Sequence, residues 1–148
     1  MFIVQQATTN DLPAILEVMR AGSNADHTDF IKKTLEAGQC QVALMDDKVV
    51  GFAILGTSLL FHQEFMELLI VHPEHWRQGV GTALIRKLEK LCKTSKFFTS
   101  TNETNIPAQK TYESLGFVRS GYVENLDEGD PEIIYFKRLA DTGQGGSV

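Results

Sequence analysis

One junction near the middle of the chain constrains the fold more than any other feature. The apolar run Phe65-Met66-Glu67-Leu68-Leu69-Ile70-Val71 leads into His72-Pro73-Glu74-His75-Trp76-Arg77-Gln78-Gly79-Val80-Gly81, and an amphipathic stretch from Thr82 to Leu91 follows. A buried strand therefore runs into a glycine-bearing turn that opens a helix. Val80, Ala83, Leu84, Leu88 and Leu91 recur at three- and four-residue intervals, which is helical spacing, and the polar face carries Arg86, Lys87, Lys90 and Lys93. The first N–H groups of a helix lack intrahelical partners and sit in the positive field of the peptide dipoles, so such a turn suits an anion. Glycine lets main chain approach a ligand closely. The pattern is neither a mononucleotide P-loop nor a dinucleotide fingerprint, because no Gly-Lys-Ser/Thr follows and Leu84 stands where a third glycine would. An ordinary helix start that uses its glycines for tight packing is the alternative.

Around this junction, 148 residues with 43% hydrophobic content are enough for one compact domain with a sizeable core. No apolar run is long enough to span a bilayer and no signal-peptide pattern opens the chain, so no membrane association and a cytoplasmic location are expected. Cys40 and Cys92 lie far apart without a second cysteine or a histidine cluster near either, so packed thiols are expected rather than a disulfide or a zinc site. A net charge of -5 argues against nucleic-acid binding, which needs a basic footprint. The charge is uneven. Glu124, Asp127, Glu128, Asp130 and Glu132 crowd one short region, whereas the helix after Gly81 is basic. That division suits an anionic cofactor and a cationic substrate, and equally a solvated acidic loop.

The remaining elements follow from spacing and punctuation. Phe2 to Ala7 is a first strand, and Thr8-Thr9-Asn10-Asp11 supplies cap oxygens before a helix from Pro13 to about Ala21. Asp26 or Thr28 caps a second helix as far as Gly38. Cys40 to Met45 and Val49 to Thr57 form a hairpin across Asp46-Asp47-Lys48. Phe97 to Thr101 is a strand, Asn105 to Leu115 a helix stopped by Gly116, and Phe117 to Leu126 and Glu132 to Leu139 are late strands joined across Asp127 to Pro131. The expected domain covers residues 1–139, a mixed α/β fold with a parallel crossover around the central helix, and residues 140–148 form a disordered tail.

Two separated motifs carry a resemblance. Val71-His72-Pro73-Glu74 through Gly79-Val80-Gly81-Thr82-Ala83-Leu84, with Asn105-x-x-Ala108-x-x-x-Tyr112-x-x-x-Gly116-Phe117 about thirty residues on, resembles the GNAT superfamily of acyl-CoA-dependent N-acetyltransferases. The resemblance implies a mostly antiparallel, mixed sheet of six or seven strands flanked by about four helices, with a parallel pair, Phe65 to Val71 and Phe97 to Thr101, that splays. It implies acetyl-CoA as co-substrate and no metal. Main-chain amides from Arg77 through Gln78, Gly79, Val80, Gly81 and Thr82 would hold the pyrophosphate, and Leu69, Ile70 and Val71 would pair with the pantetheine arm. An N–H there would polarise the thioester carbonyl. Trp76 departs from the family's usual Gln or Arg at that position. Asn105 and Ala108 belong to the second motif, Asn105 as a helix cap or a cofactor contact.

By the same resemblance, Tyr112 protonates or hydrogen-bonds the departing thiolate, unless it is a packed aromatic. A phenol of pKa about 10 donates without ionising at neutral pH. The amine must first lose its proton, and Glu67 is the leading acceptor, because a carboxylate interrupts a strand that should be apolar on both faces. An exposed strand end or a cation partner would also explain Glu67, and Glu64 and His62 are the weaker candidates. Asp127 and Glu128 are candidate substrate contacts, and the loops Gly22 to Asp29 and Thr57 to Gln63 are expected to shape the acceptor pocket. His27, His62, His72 and His75 show no metal-ligand spacing, since Pro73 breaks the one close pair. The reading is direct transfer of an acetyl group to a small cationic amine. A protein N-terminus or lysine as acceptor, and a non-catalytic acyl-CoA sensor, stay open, and a homodimer is among the states the resemblance admits.

Overall fold

The computed structural model describes residues 2–140, so the expected tail beyond them lies outside the described residues. The element order is β1 (Phe2–Gln6), α1 (Leu12–Gly22), α2 (Thr28–Glu36), β2 (Cys40–Met45), β3 (Lys48–Leu60), β4 (Gln63–Val71), α3 (Val80–Leu91), β5 (Lys96–Asn102), α4 (Ile106–Ser114), β6 (Val118–Val123) and β7 (Glu132–Arg138). The strands hydrogen-bond in the order β1-β2-β3-β4-β5-β7-β6. Mixed pairing, mostly antiparallel with the parallel β4–β5 pair, and four helices agree with the expected class. The chain divides into two compact units, residues 2–55 with 68–91 and residues 56–67 with 92–140.

In the first unit β1 pairs antiparallel with β2 from Phe2↔Met45 to Gln6↔Gln41, and β2 pairs with β3 around a bulge at Ala43/Leu44. The turn between β2 and β3 is tighter than the sequence suggested. Asp46 and Asp47 both take positive φ, and Lys48 already pairs with Met45. Two left-handed residues give the twist that a two-residue hairpin needs, and aspartate tolerates that conformation better than most side chains. Ile15, Val18 and Met19 of α1 and Ile31 and Leu35 of α2 pack with Cys40, Val42, Phe52 and Ile54 in one apolar cluster. Helix α3 buries Val80, Leu84, Ile85 and Leu88. Leu91, which the periodicity assigned to the buried face, is 40% exposed in the last turn, and Ile85 takes its place.

In the second unit β4 and β5 form a parallel ladder of Glu64↔Phe97, Phe65↔Phe98 and Met66↔Thr99, while β4 itself runs on to Val71 and β5 to Asn102. β7 pairs with β5 from Lys96↔Arg138 to Asn102↔Glu132, and β6 is the outer strand on β7. β6 is shorter than expected. It spans only Val118–Val123 and every residue in it is exposed, whereas Phe117 is buried before the strand begins. One further expectation gives way here. Residues 57–63 are not a loop, because β3 continues to Leu60 and turns into β4 through Phe61 and His62 alone, both at positive φ. Neither residue favours that conformation, which costs roughly 1 kcal/mol each, so nothing in the local sequence announced the turn.

Candidate functional site

The turn between β4 and α3 is built from its own side chains. His72 Nδ1 accepts from the Glu74 N–H at 3.1 Å, capping a single 3-10 turn, Pro73–His75. His75 Nδ1 meets Gln78 Oε1 at 3.2 Å, and the Gln78 amide donates to the Glu74 carbonyl at 3.4 Å. The Trp76 indole N–H donates to the Val71 carbonyl at 2.7 Å. Arg77 and Gly79 both adopt positive φ, the conformation glycine takes without cost. The first helical amide to find an acceptor across this turn is Ala83, which donates to Gly79 at 3.0 Å. Among the described residues, the amides of Arg77, Gln78, Gly79, Val80, Gly81 and Thr82 donate to no acceptor of the chain. Residues 76–79 are exposed. Six consecutive donors at the positive end of a helix match the chemistry of a diphosphate. The side chains of Trp76 and Gln78 turn back onto the loop, so the departure at position 76 supports the strand end that precedes the turn.

β4 changes character along its length. Glu64, Phe65 and Met66 are buried, and Glu67, Leu68 and Leu69 are only half-buried. The rule that this strand should be closed on both faces holds for its first half alone. Glu67 sits inside the strand, with no hydrogen-bond or ion-pair partner among the described residues, and burial raises its carboxyl above the usual range. An exposed strand end and a cation partner are thereby both removed as explanations. Glu64 is different. It is 5% exposed and its carboxylate accepts from the Lys93 N–H at 2.8 Å, which ties down the chain after α3. His62 occupies the tight β3–β4 turn.

Tyr112 is buried on α4, packed against Phe117 and edge-on to Tyr135 at ring-centroid distances of 5.8 and 5.5 Å. Burial pushes its phenol up to about 12, against a hydrogen bond with Thr99 that lowers it. The Thr99 hydroxyl in turn donates to the Met66 carbonyl at 3.0 Å. Met66↔Thr99 is the last pair of the parallel ladder, so the Tyr112 hydroxyl is tied to the point where β4–β5 pairing ends. Thr99 escaped the sequence reading because a threonine in a strand is unremarkable.

Asn105 caps α4, its side-chain oxygen accepting from the Ala108 N–H at 3.2 Å, which is the role capping chemistry assigns it. The acidic run is more than a solvated loop. Asp127 accepts from Asn102 at 2.8 Å, and Asp130 accepts from the Thr104 N–H and hydroxyl at 3.0 and 2.7 Å, pinning the β6–β7 connection to the β5–α4 connection. Glu128 has no partner among the described residues and is exposed. No group of three or more His, Cys, Asp or Glu capable of holding a metal occurs among the described residues, and none of their helices is long and apolar enough to cross a membrane.

This mixed sheet, with an amide-lined turn opening its central helix, defines the class to which comparison then gives a family. The profile of the acetyltransferase (GNAT) family matches residues 10–117. The crystal structure of a GNAT-family acetyltransferase from Bacillus cereus ATCC 10987 superposes with a TM-score of 0.89 at 36% identity, covering 95% of this chain and 99% of that one. The [ribosomal protein bS18]-alanine N-acetyltransferase of Escherichia coli (strain K12) is 27% identical over 143 residues, 88% of this chain and 93% of that protein. Mycothiol acetyltransferase of Parafrankia sp. (strain EAN1pec) is 35% identical over 88 residues, 53% of this chain, and the match spans 26% of that relative's length. The chain belongs to the acetyltransferase (GNAT) family.

Proposed function

We propose that the protein is an N-acetyltransferase that moves an acetyl group from acetyl-CoA to a primary amine by direct attack. The observation that carries the reading is the row of unsatisfied amides from Arg77 to Thr82 at the start of α3, in a chain of this family. These amides hold the pyrophosphate, and Trp76 fixes the carbonyl of Val71 at the adjoining strand end. Leu69, Ile70 and Val71 offer main chain to the pantetheine amides, with Asn105 and Ala108 shaping the start of α4.

In the reaction Glu67 takes one proton from the substrate ammonium. An alkylammonium of pKa about 10.4 is only roughly one part in a thousand neutral at pH 7, so this step is required. A carboxyl raised by burial is a better acceptor than an ordinary one, which is what Glu67 offers. The free amine attacks the thioester carbon, the C–N bond forms and the C–S bond breaks. The leaving thiolate takes a proton from Tyr112, and the tyrosine recovers the second proton shed by the nitrogen as the amide forms. Tyr112 suits this duty because it stays protonated across the working pH range.

For the acceptor we propose a small cationic amine met by the exposed carboxylates of the β6–β7 connection, Glu128 foremost, with Asp127 beside it. A second reading, acetylation of a protein N-terminus, is favoured by the likeness to the alanine N-acetyltransferase across 88% of the chain. The test measures free CoA released at saturating acetyl-CoA over a panel of polyamines, amino acids and peptides with varied N-termini. Turnover of small amines alone supports the first acceptor and turnover of peptides alone the second. Binding of CoA, read by fluorescence of the sole tryptophan, with no turnover of any amine would instead identify a sensor.

A further inference from the structure

Gly56 lies in the second half of β3, and the hairpin that follows sets what it faces. Strands joined by two residues run antiparallel. Counting outward from Phe61 and His62 pairs Leu60 with Gln63 and therefore Gly56 with Glu67. The contacts agree, because a Cβ built on Gly56 would fall inside the Glu67 carboxyl group. Side chains of a strand ordinarily stand away from the sheet. Here the acidic side chain lies flat across the main chain of its neighbour, in the space that any other residue at position 56 would fill. One side of the carboxylate is thus closed to water by the backbone. Desolvation is the cause of its raised pKa, and no charged group from β3, β4 or any other element contributes to the shift. A glycine inside a strand carries an entropic cost and marks a close approach; here it is a carboxylate that approaches.

We infer that Gly56 is the positioning residue of Glu67: the missing side chain at this one place in β3 decides where the carboxylate lies and which side of it water reaches. The catalytic consequence rests on the reading of Glu67 as proton acceptor, whereas the positioning itself does not.

Carboxyl-carbon NMR of the full chain labelled at glutamate follows the titration of Glu67 directly, in the unsubstituted protein and in Gly56→Ala. The expected result is that Glu67 titrates nearer the ordinary carboxylate range in Gly56→Ala, because the added methyl lifts it into water. The acid limb of the kcat/KM profile should move to lower pH by the same amount, with kcat at least about tenfold lower and the KM for acetyl-CoA unchanged, as weakening one general base predicts. Should Gly56→Ala fold poorly, Gly56→Ala combined with Glu67→Ala removes the overlap and should regain the melting temperature of Glu67→Ala alone, a coupling that only a direct contact gives. An unchanged Glu67 titration in Gly56→Ala, or a stability defect of equal size with and without the Glu67 side chain, would overturn the inference. Full activity of Glu67→Gln would instead remove the proton-acceptor role and leave the titration to decide the positioning.

Discussion

The Trp76 indole N–H donates to the carbonyl of Val71 at 2.7 Å, so a residue five positions further along the chain completes the hydrogen bonding of the last residue of β4. The ring itself is 56% exposed, and the polar end of the indole is the part that is used. Trp76→Phe keeps the ring and removes the donor. A neutral hydrogen bond contributes about 1 kcal/mol, which for a chain of this length corresponds to a fall in Tm of roughly 2–4 °C. Calorimetry of Trp76→Phe should show that fall, and Trp76→Gln should recover part of it.

Gly81 and Gly79 differ in what a side chain at each would cost. A Cβ at Gly81 would meet Val71 Cγ2 at 3.8 Å and Leu69 Cδ2 at 4.0 Å, which is ordinary packing distance. Gly81→Ala should therefore melt with the unsubstituted protein and bind CoA as tightly. Gly79 has φ +85°, so Gly79→Ala should lose about 1 kcal/mol of stability as well as affinity. Unchanged CoA affinity in Gly79→Ala, measured by calorimetric titration, would count against the turn as the diphosphate site.

Tyr112→Phe should lower kcat by about ten- to a hundredfold, the scale of losing one general acid, and leave the KM for acetyl-CoA unchanged. With its phenol at about 12, Tyr112 does not set any basic limb seen below pH 10. The raised value also has a stability consequence. Between pH 10 and 12 the native state holds this proton and the unfolded chain does not, so stability is lost as pH rises through that window. Chemical denaturation at pH 9 and pH 11 should show a smaller alkaline loss in Tyr112→Phe.

For Glu67 the sign is the same and the window lower. Burial raises its folded pKa above the ordinary 4.5, so the native state binds the extra proton just above that value and stability falls as pH rises through the folded pKa. Glu67→Gln removes the penalty. Its gain in melting temperature relative to the unsubstituted chain should be larger at pH 8 than at pH 4, even as activity drops. An identical gain at both pH values would show that desolvation of this carboxylate has no part in it.

Cys40 is fully buried and burial pushes its thiol up to about 12. Cys92 is only partly buried. Iodoacetamide at pH 8 should therefore modify Cys92 in the native protein and spare Cys40 until the chain is unfolded, which peptide mapping after timed quenching will show.

The amide-lined turn was legible in the sequence because its ingredients are local: an apolar run, two glycines at fixed offsets and a helical period define strand, turn and helix without reference to the rest of the chain. Element order and the cap at Asn105 were legible for the same reason, whereas α2 has His27 at its cap position, with Asp26, one residue earlier, accepting from the Thr28 N–H. Only tertiary structure decided what the acidic side chains do. Glu64 and Glu67 stand three positions apart in one strand, yet Glu64 ties down the chain near Lys93 while Glu67 lies unpaired over Gly56. Thr99 gained its place beside Tyr112 and Met66 through parallel pairing across thirty-three residues of sequence. The two-residue turn at Phe61 and His62 likewise came from strand pairing that overrode local preference. Local geometry is written in nearest-neighbour chemistry, whereas the surroundings of a carboxylate or phenol are set by residues distant in sequence, and those surroundings decide whether it packs, caps or accepts a proton.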